Sequence, residues 1–497
     1  MLRDWLGYRA GATPDRLALV AGGRSWSYAV LDAEVAALAR RLAGLGVAAG
    51  DRVAVVLPNG ESPVLLAHAL LRFGAVLVPV NVRLTAKEVA WQLGDARPRL
   101  TIVDAGTAWL VAGAEAGTIC PVDELSDGEE ADVALHAAHD PGHIFAIVYT
   151  SGTTGRPKGA ALTVGNFWWS AVGSALNLGT HAGDRWLACL PLFHVGGLSI
   201  VMRAAIYGIT IVVHERFDAA AVNRAIDDEG ITLVSLVAVM LQRLLDDRGG
   251  RPVPSSLRCV LVGGGPVPQA LLERCAAIGL PVAQTYGLTE TTSQVATLPP
   301  EDALRKLGSA GRPLYPNEIR IMPDAGGADA DGAGEILVRG PIVMAGYAGQ
   351  PDATARAIVD GWLHTGDIGR IDADGYLYVL ERRDDLIVSG GENVYPAEVE
   401  AALLAHPAVI EAAAVGVPDP VWGRCVIAVV RLAPGASVGA AELEAHCRAR
   451  LAAYKVPREI RVENEPLPRT TSGKLQRSLV AARLTAGGAL PSPSRAR

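Results

Sequence analysis

The chain has few lysines, no paired cysteine motif and no long uninterrupted hydrophobic run, and each shortage excludes a class of protein. Its 497 residues include six scattered cysteines without a C-x-x-C pair, so reduced thiols are predicted, and neither a disulfide framework nor a zinc site. The longest hydrophobic stretch, at 65–82, is interrupted by His68, Arg72 and Asn81, which excludes a membrane span. The net charge of −7 argues against nucleic-acid binding. The opening MLRDW does not predict a signal peptide, so a cytoplasmic location is expected.

Lysine is scarce although arginine is abundant. Of the 45 basic residues only five are lysines. A compact ammonium suits a crowded phosphate or a developing charge better than a planar guanidinium does. Two of the five, Lys158 and Lys474, lie in segments rich in glycine and hydroxyl residues, which favours functional roles for them.

The length and the pattern of apolar runs predict more than one domain. Strand patterns such as Val53–Leu57, Ile144–Thr150 and Leu257–Val262 alternate with helical patterns as far as residue 380, which predicts α/β architecture with doubly wound, largely parallel sheets. Hairpin patterns from about residue 315 predict a small β-barrel-like antiparallel unit. We therefore predict an N-terminal domain at 1–383, an α+β domain at 384–484 and a disordered tail at 485–497.

A loop of glycines, hydroxyl residues and one lysine follows a predicted buried strand. The strand pattern is IFAIVY at 144–149, and TSGTTGRPKG follows at 150–159. Backbone N–H groups, hydroxyls and a point cation suit polyphosphate oxygens. The loop is not a Walker A motif, because Pro157 and Gly159 stand where that motif needs glycine and Ser or Thr. A flexible surface loop of small residues is the structural alternative.

The order of these residues resembles the phosphate-binding signature of the adenylate-forming superfamily, which includes acyl-CoA synthetases, adenylation domains of peptide synthetases and luciferases. The resemblance implies ATP, Mg²⁺ and CoA as the nucleotide, cation and acyl acceptor. It assigns the ATP phosphates to loop residues, which are Thr150, Ser151, Gly152, Thr153, Thr154 and Lys158.

Two further segments match the nucleotide-binding motifs of the superfamily. In YGLTET at 286–291, the resemblance implies that Tyr286 stacks on adenine, Thr289 contacts phosphate and Glu290 holds Mg²⁺. A helix N-terminus capped by Thr289 is the structural alternative. Gly264 and Gly265 in the GGGP turn at 263–266 permit close backbone approach to a flat ligand, and the resemblance implies that this turn lines the adenine pocket. A simple tight turn is the alternative there.

The resemblance also covers the expected domain boundary. It assigns ribose binding to Asp367 and Arg382 and the interdomain hinge to Asp384. Glu381 stands where relatives usually have glycine, which is a departure from the pattern. The turn with Gly390 and Gly391 would line the pantetheine tunnel in the thioester-forming state; a plain connecting loop is the alternative.

Two more segments carry predicted catalytic or gating residues. TTSGK at 470–474 resembles the terminal lysine motif, so Lys474 would contact the attacking carboxylate and the α-phosphate. LPLFHVGG at 190–197 places His194 where the resemblance implies a wall between the acyl pocket and the thiol tunnel. A lone histidine is more often structural.

Together these motifs predict an acid–thiol ligase that first forms an acyl-adenylate and then a CoA thioester. Segments 190–208, 232–245 and 263–314 look like the branch that activates 2-succinylbenzoate for menaquinone biosynthesis. Ser293, Gln294 and Arg203 are predicted to anchor the second carboxylate of that acid, although Arg203 is equally readable as a surface helix residue.

Three alternatives to this prediction stay open. They are a fatty or aryl acid–CoA ligase, an adenylation enzyme that loads a carrier protein, and a catalytically inactive binding protein. Dimers occur among relatives in the superfamily, so a homodimer is compatible with the resemblance.

Overall fold

A computed structural model describes residues 1–125, 128–150, 157–265, 267, 269–323, 334–382, 387–394, 396–468, 475 and 477–486. Contacts divide these residues into two units. Unit 1 comprises Met1–Val82, Val89–Thr150 and Gly159–Leu380, whereas unit 2 comprises the described residues of Arg83–Glu88, Ser151–Lys158 and Glu381–Arg497. The positions of Ser151–Thr154, Asp384 and Lys474 lie outside the described residues, and so do the side chain of Arg382 and the predicted tail beyond residue 486.

The elements up to Thr150 alternate strands with helices. The strands are β1 Leu2–Arg3, β2 Leu17–Ala21, β3 Arg24–Ser27, β4 Arg52–Val56, β5 Val76–Pro79, β6 Leu100–Val103, β7 Thr118–Pro121, β8 Ala138–His139 and β9 Ile144–Thr150. The helices are α1 Trp5–Ala12, α2 Tyr28–Gly44, α3 Glu61–Phe73 and α4 Ala86–Ala96.

The alternation continues through residue 313. The strands are β10 Lys158–Thr163, β11 Arg185–Ala188, β12 Thr210–Val213, β13 Leu233–Val237, β14 Cys259–Gly263, β15 Val282–Leu288, β16 Ser293–Leu298 and β17 Ser309–Pro313. The helices are α5 Val164–Leu178, α6 Val195–Tyr207, α7 Ala219–Asp228, α8 Ala238–Arg248 and α9 Gln269–Ala277.

The rest of the chain is richer in antiparallel strands. Up to Arg382 these are β18 Glu318–Pro323, β19 Gly334–Arg339, β20 Gly346–Tyr347, β21 Ile358–Val359, β22 Trp362–Ile371 and β23 Leu377–Arg382, with helix α10 Pro351–Ala357. Unit 2 adds β24 Ile387–Ser389, β25 Glu392–Val394, β26 Val409–Asp419, β27 Gly423–Leu432, β28 Glu459–Glu463, α11 Pro396–Leu404, α12 Ala440–Arg448 and α13 Arg477–Ala486. Helix α13 includes positions 485 and 486, which belong to the predicted tail.

Two large sheets form unit 1 in the described part of the chain. The first has the strand order β20-β10-β9-β5-β4-β6-β7, and β4 pairs in parallel with both β5 and β6. Its strands are nearly all apolar because helices cover both faces of a parallel sheet. The predicted doubly wound α/β fold is confirmed.

The second sheet has the order β18-β19-β22-β23-β17-β16-β15-β14-β13-β11-β12-β2-β3. Strands β11 to β15 pair in parallel, and β16 then pairs antiparallel with β15. The predicted antiparallel hairpins continue this sheet, because β17 pairs with both β16 and β23. The sequence shows where such strands are but not which edge they join.

Helix caps and a ring contact in the core fix the helices around the sheets. Helix α3 ends at Gly74, whose φ of 76° is the left-handed conformation that caps helices. Helix α5 begins with a capping box between Thr163 and Asn166. In the core, the rings of Phe145 and Phe167 meet edge to face with centroids 5.3 Å apart, and each buried ring contributes about 1.5–3 kcal/mol.

A buried charged cluster lies beneath the N-terminus of unit 1. Arg72 Nη2 is 2.5 Å from both Asp4 Oδ2 and Asp32 Oδ1, and His139 Nε2 is 3.2 Å from Asp4 Oδ1. His68 is buried nearby, and its burial lowers the pKa of the imidazole to about 4, with the Arg72 cation adding to the effect and Asp4 opposing it. His68 is therefore neutral at pH 7.

Unit 2 has its own core around the three-stranded sheet β26-β27-β28. Lys455 is buried between two carboxylates, with Nζ 2.7 Å from Glu88 Oε1 and 2.7 Å from Glu398 Oε1. Burial opposes the charge of Lys455, but the two carboxylates outweigh it and raise the pKa of the ammonium above its ordinary value. The triad is a buried ionic centre of this unit.

All six cysteines carry free, buried thiols. In the described part of the chain, no helix combines the length and the hydropathy that a bilayer crossing requires.

Candidate functional site

The predicted phosphate loop connects two neighbouring strands of the first sheet. Thr150 is the last residue of β9, and Lys158 is the first residue of β10. Tyr149 Oη donates to Asp95 Oδ2 at 2.6 Å. Burial and the Asp95 carboxylate raise the pKa of Tyr149 well above its usual value, so its hydroxyl stays a donor. A Cβ on Gly159 would lie 2.6 Å from Ile147 Cγ2, so this close approach requires glycine.

The aromatic and acidic residues predicted to bind the nucleoside lie in contact. Tyr286 is on β15 and Asp367 is on β22, and both are buried. Tyr286 Oη donates to Asp367 Oδ2 at 2.7 Å. Thr365 Oγ1 accepts a bond from the Asp367 N–H at 3.1 Å. Two residues separated by 81 positions are thus joined at one point of unit 1.

Thr289 and Glu290 lie in a short 3₁₀ turn, Thr289–Thr291, between β15 and β16. The Leu288 N–H donates to Thr291 Oγ1 at 3.0 Å, which closes the turn. Thr292 and Ser293 have φ values of 51° and 90°, so the chain doubles back sharply before β16. The segment is therefore a tight turn between antiparallel strands and not the N-terminus of an α-helix.

The carboxylate of Glu290 is held by a residue that the sequence motifs did not predict. Tyr347 Oη donates to Glu290 Oε1 at 3.0 Å. The Met344 N–H donates to the Glu290 carbonyl oxygen at 2.8 Å. No lysine or arginine in the described part of the chain forms an ion pair with this carboxylate.

Gly264 and Gly265 follow β14 and are exposed. Gly264 has a φ of 79°, and a Cβ on Gly265 would have no heavy atom within 4 Å. Backbone without side chains can contact a flat ligand closely, which is the role predicted for this turn in the adenine pocket.

Arg203 lies on α6 and is buried, with only 2% of its surface exposed. Its Nη2 donates to Ser170 Oγ at 3.0 Å, and that hydroxyl donates to the Thr292 carbonyl oxygen at 2.7 Å. Its Cζ is 5.8 Å from the centroid of the Trp186 ring. Burial lowers the pKa of the guanidinium, and no described carboxylate forms an ion pair with it. The alternative of a surface helix residue is excluded.

Other buried polar atoms beside α5 and α6 also have no hydrogen-bond partner among the described residues. They are Arg203 Nε, Ser199 Oγ and both amide atoms of Gln294. Gln294 is on β16, against which both helices pack. Ser293 precedes it and is half-buried. Buried polar groups normally have partners, so this region is suited to a polar ligand.

His194 is the residue before the first turn of α6, and its ring is 4.8 Å from that of Phe193. Asn59 fixes the preceding loop, because its Nδ2 donates to the Leu190 carbonyl oxygen at 2.9 Å and its Oδ1 accepts from the Leu192 N–H at 2.8 Å. The sequence analysis missed Asn59, Ser170 and Tyr347, since none belongs to a motif. Their positions depend on contacts between distant segments.

In unit 2, Gly390 and Gly391 form the turn of the β24–β25 hairpin, with φ values of 58° and 87°. The Gly390 N–H donates to the Trp422 carbonyl oxygen at 2.9 Å. A Cβ on Gly390 would lie 2.4 Å from the Trp422 ring, so glycine is required there for both conformation and space. Arg382 is the last residue of β23.

The chain matches two family descriptions. The family described as "AMP-binding enzyme" matches residues 7–348, and the family described as "AMP-binding enzyme C-terminal domain" matches residues 398–474. A protein of Geobacillus kaustophilus named 2-succinylbenzoate–CoA ligase is 51% identical over 474 residues, which are 95% of this chain and 96% of that protein.

Solved structures of o-succinylbenzoate CoA synthetase from Bacillus subtilis are also similar. A double mutant bound to the product analogue OSB-NCoA has a TM-score of 0.91 at 42% identity, with 96% of this chain and 97% of that one covered. The complex with ATP and magnesium has a TM-score of 0.74 at 42% identity, covering 96% and 98%. The predicted superfamily is therefore confirmed: this chain belongs to the AMP-binding enzyme family of adenylate-forming enzymes.

Proposed function

We propose that this chain is a 2-succinylbenzoate–CoA ligase of menaquinone biosynthesis, which makes an acyl-adenylate from ATP and then a CoA thioester. The observation that carries the choice of acid is the buried guanidinium of Arg203, which has no carboxylate partner among the described residues. A buried cation without a counter-ion is costly. An acid with a second carboxylate would supply that counter-ion, and the names of the relatives support the same substrate.

The nucleoside of ATP would bind to unit 1. The Tyr286 ring offers a stacking surface on β15, which pairs with β14, the strand that ends at the exposed Gly264–Gly265 backbone. The Asp367 carboxylate can accept hydrogen bonds from a ribose diol. Arg382 would add donors to the same sugar. The hydrogen bond between Tyr286 and Asp367 supports this division of roles, because it keeps the aromatic ring and the carboxylate in one place.

In the adenylation step, a substrate carboxylate oxygen bonds to the α-phosphorus and the bond to the pyrophosphate oxygen breaks. Both reactants are anions, so catalysis consists mainly of positioning and charge neutralisation. Lys158 and the hydroxyls of Thr150, Ser151, Thr153 and Thr154, with the Gly152 backbone, would bind the phosphates. Lys474 would contact the attacking carboxylate.

A magnesium ion would fit beside Glu290, whose oxygen ligands suit a hard cation. The described residues contain no group of three or more His, Cys, Asp or Glu side chains suited to a metal. Such an ion would therefore take most of its ligands from phosphate and water, as is usual for Mg²⁺ on a nucleotide. When bound, it would neutralise phosphate charge, while Thr289 contacts phosphate.

The non-reacting carboxylate of the acid would bind near Arg203, Ser293 and Gln294. Ser170 would orient the guanidinium through the 3.0 Å hydrogen bond. The surrounding residues of α5 and α6 are mostly buried and apolar, which suits the aromatic ring of the acid.

In the second half-reaction, the CoA thiolate sulfur bonds to the acyl carbon and AMP leaves. Rotation of the C-terminal domain about Asp384 would withdraw Lys474 and present Gly390 and Gly391 to the pantetheine arm. His194 would line the passage between thiol and acyl group. The cytoplasmic location and a homodimer remain part of this proposal.

A substrate comparison tests the choice of acid. The enzyme is expected to convert 2-succinylbenzoate and to disfavour 4-oxo-4-phenylbutanoate, which lacks one carboxylate, when CoA-thioester formation is followed by mass spectrometry. Arg203→Met should reduce kcat/KM for 2-succinylbenzoate by about 100-fold while changing that for the monoacid little, because a desolvated charge pair is lost. Arg203→Lys should retain part of the preference.

Three outcomes would redirect the proposal. Preference for a medium-chain fatty acid would keep the ligase mechanism and reject the substrate. Adenylate without thioester would favour a carrier protein as the acyl acceptor. Equal losses on both acids in Arg203→Met, with AMP binding unchanged, would reject the role of Arg203.

A further inference from the structure

The hydrogen bond between Tyr347 and Glu290 joins a predicted cation ligand to a strand that no motif includes. Tyr347 Oη donates to Glu290 Oε1 at 3.0 Å across 57 residues of sequence. Both residues belong to unit 1. We propose that Tyr347 is a positioning residue that orients the Glu290 carboxylate and so sets the affinity for the divalent cation of the nucleotide. The inference rests on the role of Glu290 in the proposed function.

The backbone around Tyr347 is fixed on both sides. Strand β20 pairs antiparallel with β10, with Tyr347 opposite Ala160. The Ala345 N–H donates to the Ala161 carbonyl oxygen at 2.9 Å, and the Ala348 N–H donates to that of Gly159 at 2.8 Å. The phenol is thus carried on the strand adjacent to the one that leaves the phosphate loop.

The same short segment also binds the backbone of the Glu290 turn. The Met344 N–H donates to the Glu290 carbonyl oxygen at 2.8 Å. The Tyr347 N–H donates to Thr354 Oγ1 at 2.8 Å, which ties the strand to α10. Backbone and side chain of Glu290 are therefore both held by residues 344–347. Two independent contacts to one residue restrict its carboxylate to few orientations.

A phenol is chemically suited to this task. It donates one hydrogen bond to Oε1 and leaves Oε2 for a cation or its bound water. Because the phenol is neutral, it does not cancel the carboxylate charge, as an arginine or lysine in the same place would. A free glutamate side chain samples many rotamers, and ordering it before the cation binds lowers the entropic cost of binding.

The test is Tyr347→Phe, compared with Tyr376→Phe as a matched control. Tyr376 Oη also donates to a carboxylate of unit 1, Asp302 Oδ2, at 2.5 Å, but neither residue belongs to the proposed site. Mn²⁺ binding in the presence of ATP is measured by electron paramagnetic resonance, and the Mg²⁺ dependence of pyrophosphate release is measured at fixed ATP.

For Tyr347→Phe we expect about a tenfold weaker Mn²⁺ affinity and about a tenfold higher half-saturating Mg²⁺ concentration, the loss typical of a hydrogen bond to a charged group. At saturating Mg²⁺, kcat should return close to that of the unaltered enzyme. Tyr376→Phe should match the unaltered enzyme in both measurements. Unchanged Mn²⁺ affinity in Tyr347→Phe, or a fall in kcat that Mg²⁺ does not restore, would overturn the proposal.

A second variant separates this inference from the proposed function. Glu290→Gln should weaken Mn²⁺ affinity, and adding Tyr347→Phe to it should cause no further loss, because the phenol acts through the carboxylate. Unchanged Mn²⁺ affinity in Glu290→Gln would reject Glu290 as a cation ligand. A normal loss in Glu290→Gln, with none in Tyr347→Phe, would reject only the role of Tyr347.

Discussion

The imidazole of His68 makes the stability of unit 1 dependent on pH. Burial lowers its pKa to about 4 in the folded chain, against about 6.5 in the unfolded chain. The unfolded state therefore binds more protons between these values, so the folded state loses stability as the pH falls below 6.5. From pH 7.5 to pH 5.5, His68 alone should cost about 1.4 kcal/mol of the free energy of unfolding.

His68→Gln should remove this part of the pH dependence. Urea unfolding of both proteins at pH 7.5 and pH 5.5 would measure it, and only the change between the two pH values matters. An identical change in the variant and the unaltered protein would show that His68 binds protons equally in the two states.

For single residues, the sequence predicts those that belong to motifs but not the residues that hold them in place. The structure joins Tyr286 to Asp367 directly, as two nucleotide-binding motifs would lead one to expect. Arg203 was ambiguous because one helix position does not reveal its burial. Tyr347 was missed because a Gly-Tyr pair has no chemical signature, and its contact with Glu290 depends on the pairing of β20 with β10.

Among the elements, the β24–β25 hairpin depends on the glycine at its turn, Gly390. Gly390→Ala would place a residue with a side chain at a φ of 58° and drive its Cβ to 2.4 Å from the Trp422 ring. We expect a loss of about 2–3 kcal/mol in local stability, from backbone strain and overpacking together. Hydrogen exchange of the amides in β24 to β27 would measure it.

Gly435→Ala is the matched control for this hairpin. Gly435 has a φ of 79° and no heavy atom within 4 Å of an added Cβ, so only the backbone term applies, at about 1 kcal/mol. Equal effects of the two substitutions would show that the Trp422 ring moves aside without cost.

Elements were predicted well where burial gives continuous apolar runs. Strand β9 has the predicted bounds, Ile144–Thr150, and β4 at Arg52–Val56 is displaced by one residue from the predicted Val53–Leu57. Strand β14 begins at Cys259 and not at the predicted Leu257, because Leu257 is buried in the preceding turn, where its N–H donates to the Pro254 carbonyl oxygen. Sheet order was not predictable, since hydrophobic periodicity reports burial and not the neighbour that provides it.

At the scale of the whole molecule, Lys455 is a buried cation on which the stability of unit 2 depends. Its side chain is only 3% exposed between Glu88 and Glu398. Lys455→Met would leave two buried carboxylates without a cation, which typically costs about 3–5 kcal/mol. Differential scanning calorimetry should show the transition of unit 2 at a clearly lower temperature.

Lys306→Met is the comparison for that substitution. Lys306 Nζ also lies between two carboxylates, 2.8 Å from Asp372 Oδ2 and 2.6 Å from Asp374 Oδ2, but Asp374 is 60% exposed. Because solvent screens these ion pairs, Lys306→Met should lower the free energy of unfolding less than Lys455→Met does. A larger effect at Lys306 would contradict the view that burial decides the contribution of these triads.

The triads around Lys455 and Lys306 also determine which amines of the protein can react with electrophiles. An ammonium held between carboxylates stays protonated and is a poor nucleophile, and arginine is protonated at any physiological pH. Of the five lysines, Lys455 and Lys306 are engaged in this way, whereas Lys87 is exposed. An enzyme proposed to make activated acyl groups thus presents few reactive amines of its own in the part of the chain that the structure describes. Of these three lysines, Lys87 is therefore the one expected to be acylated first.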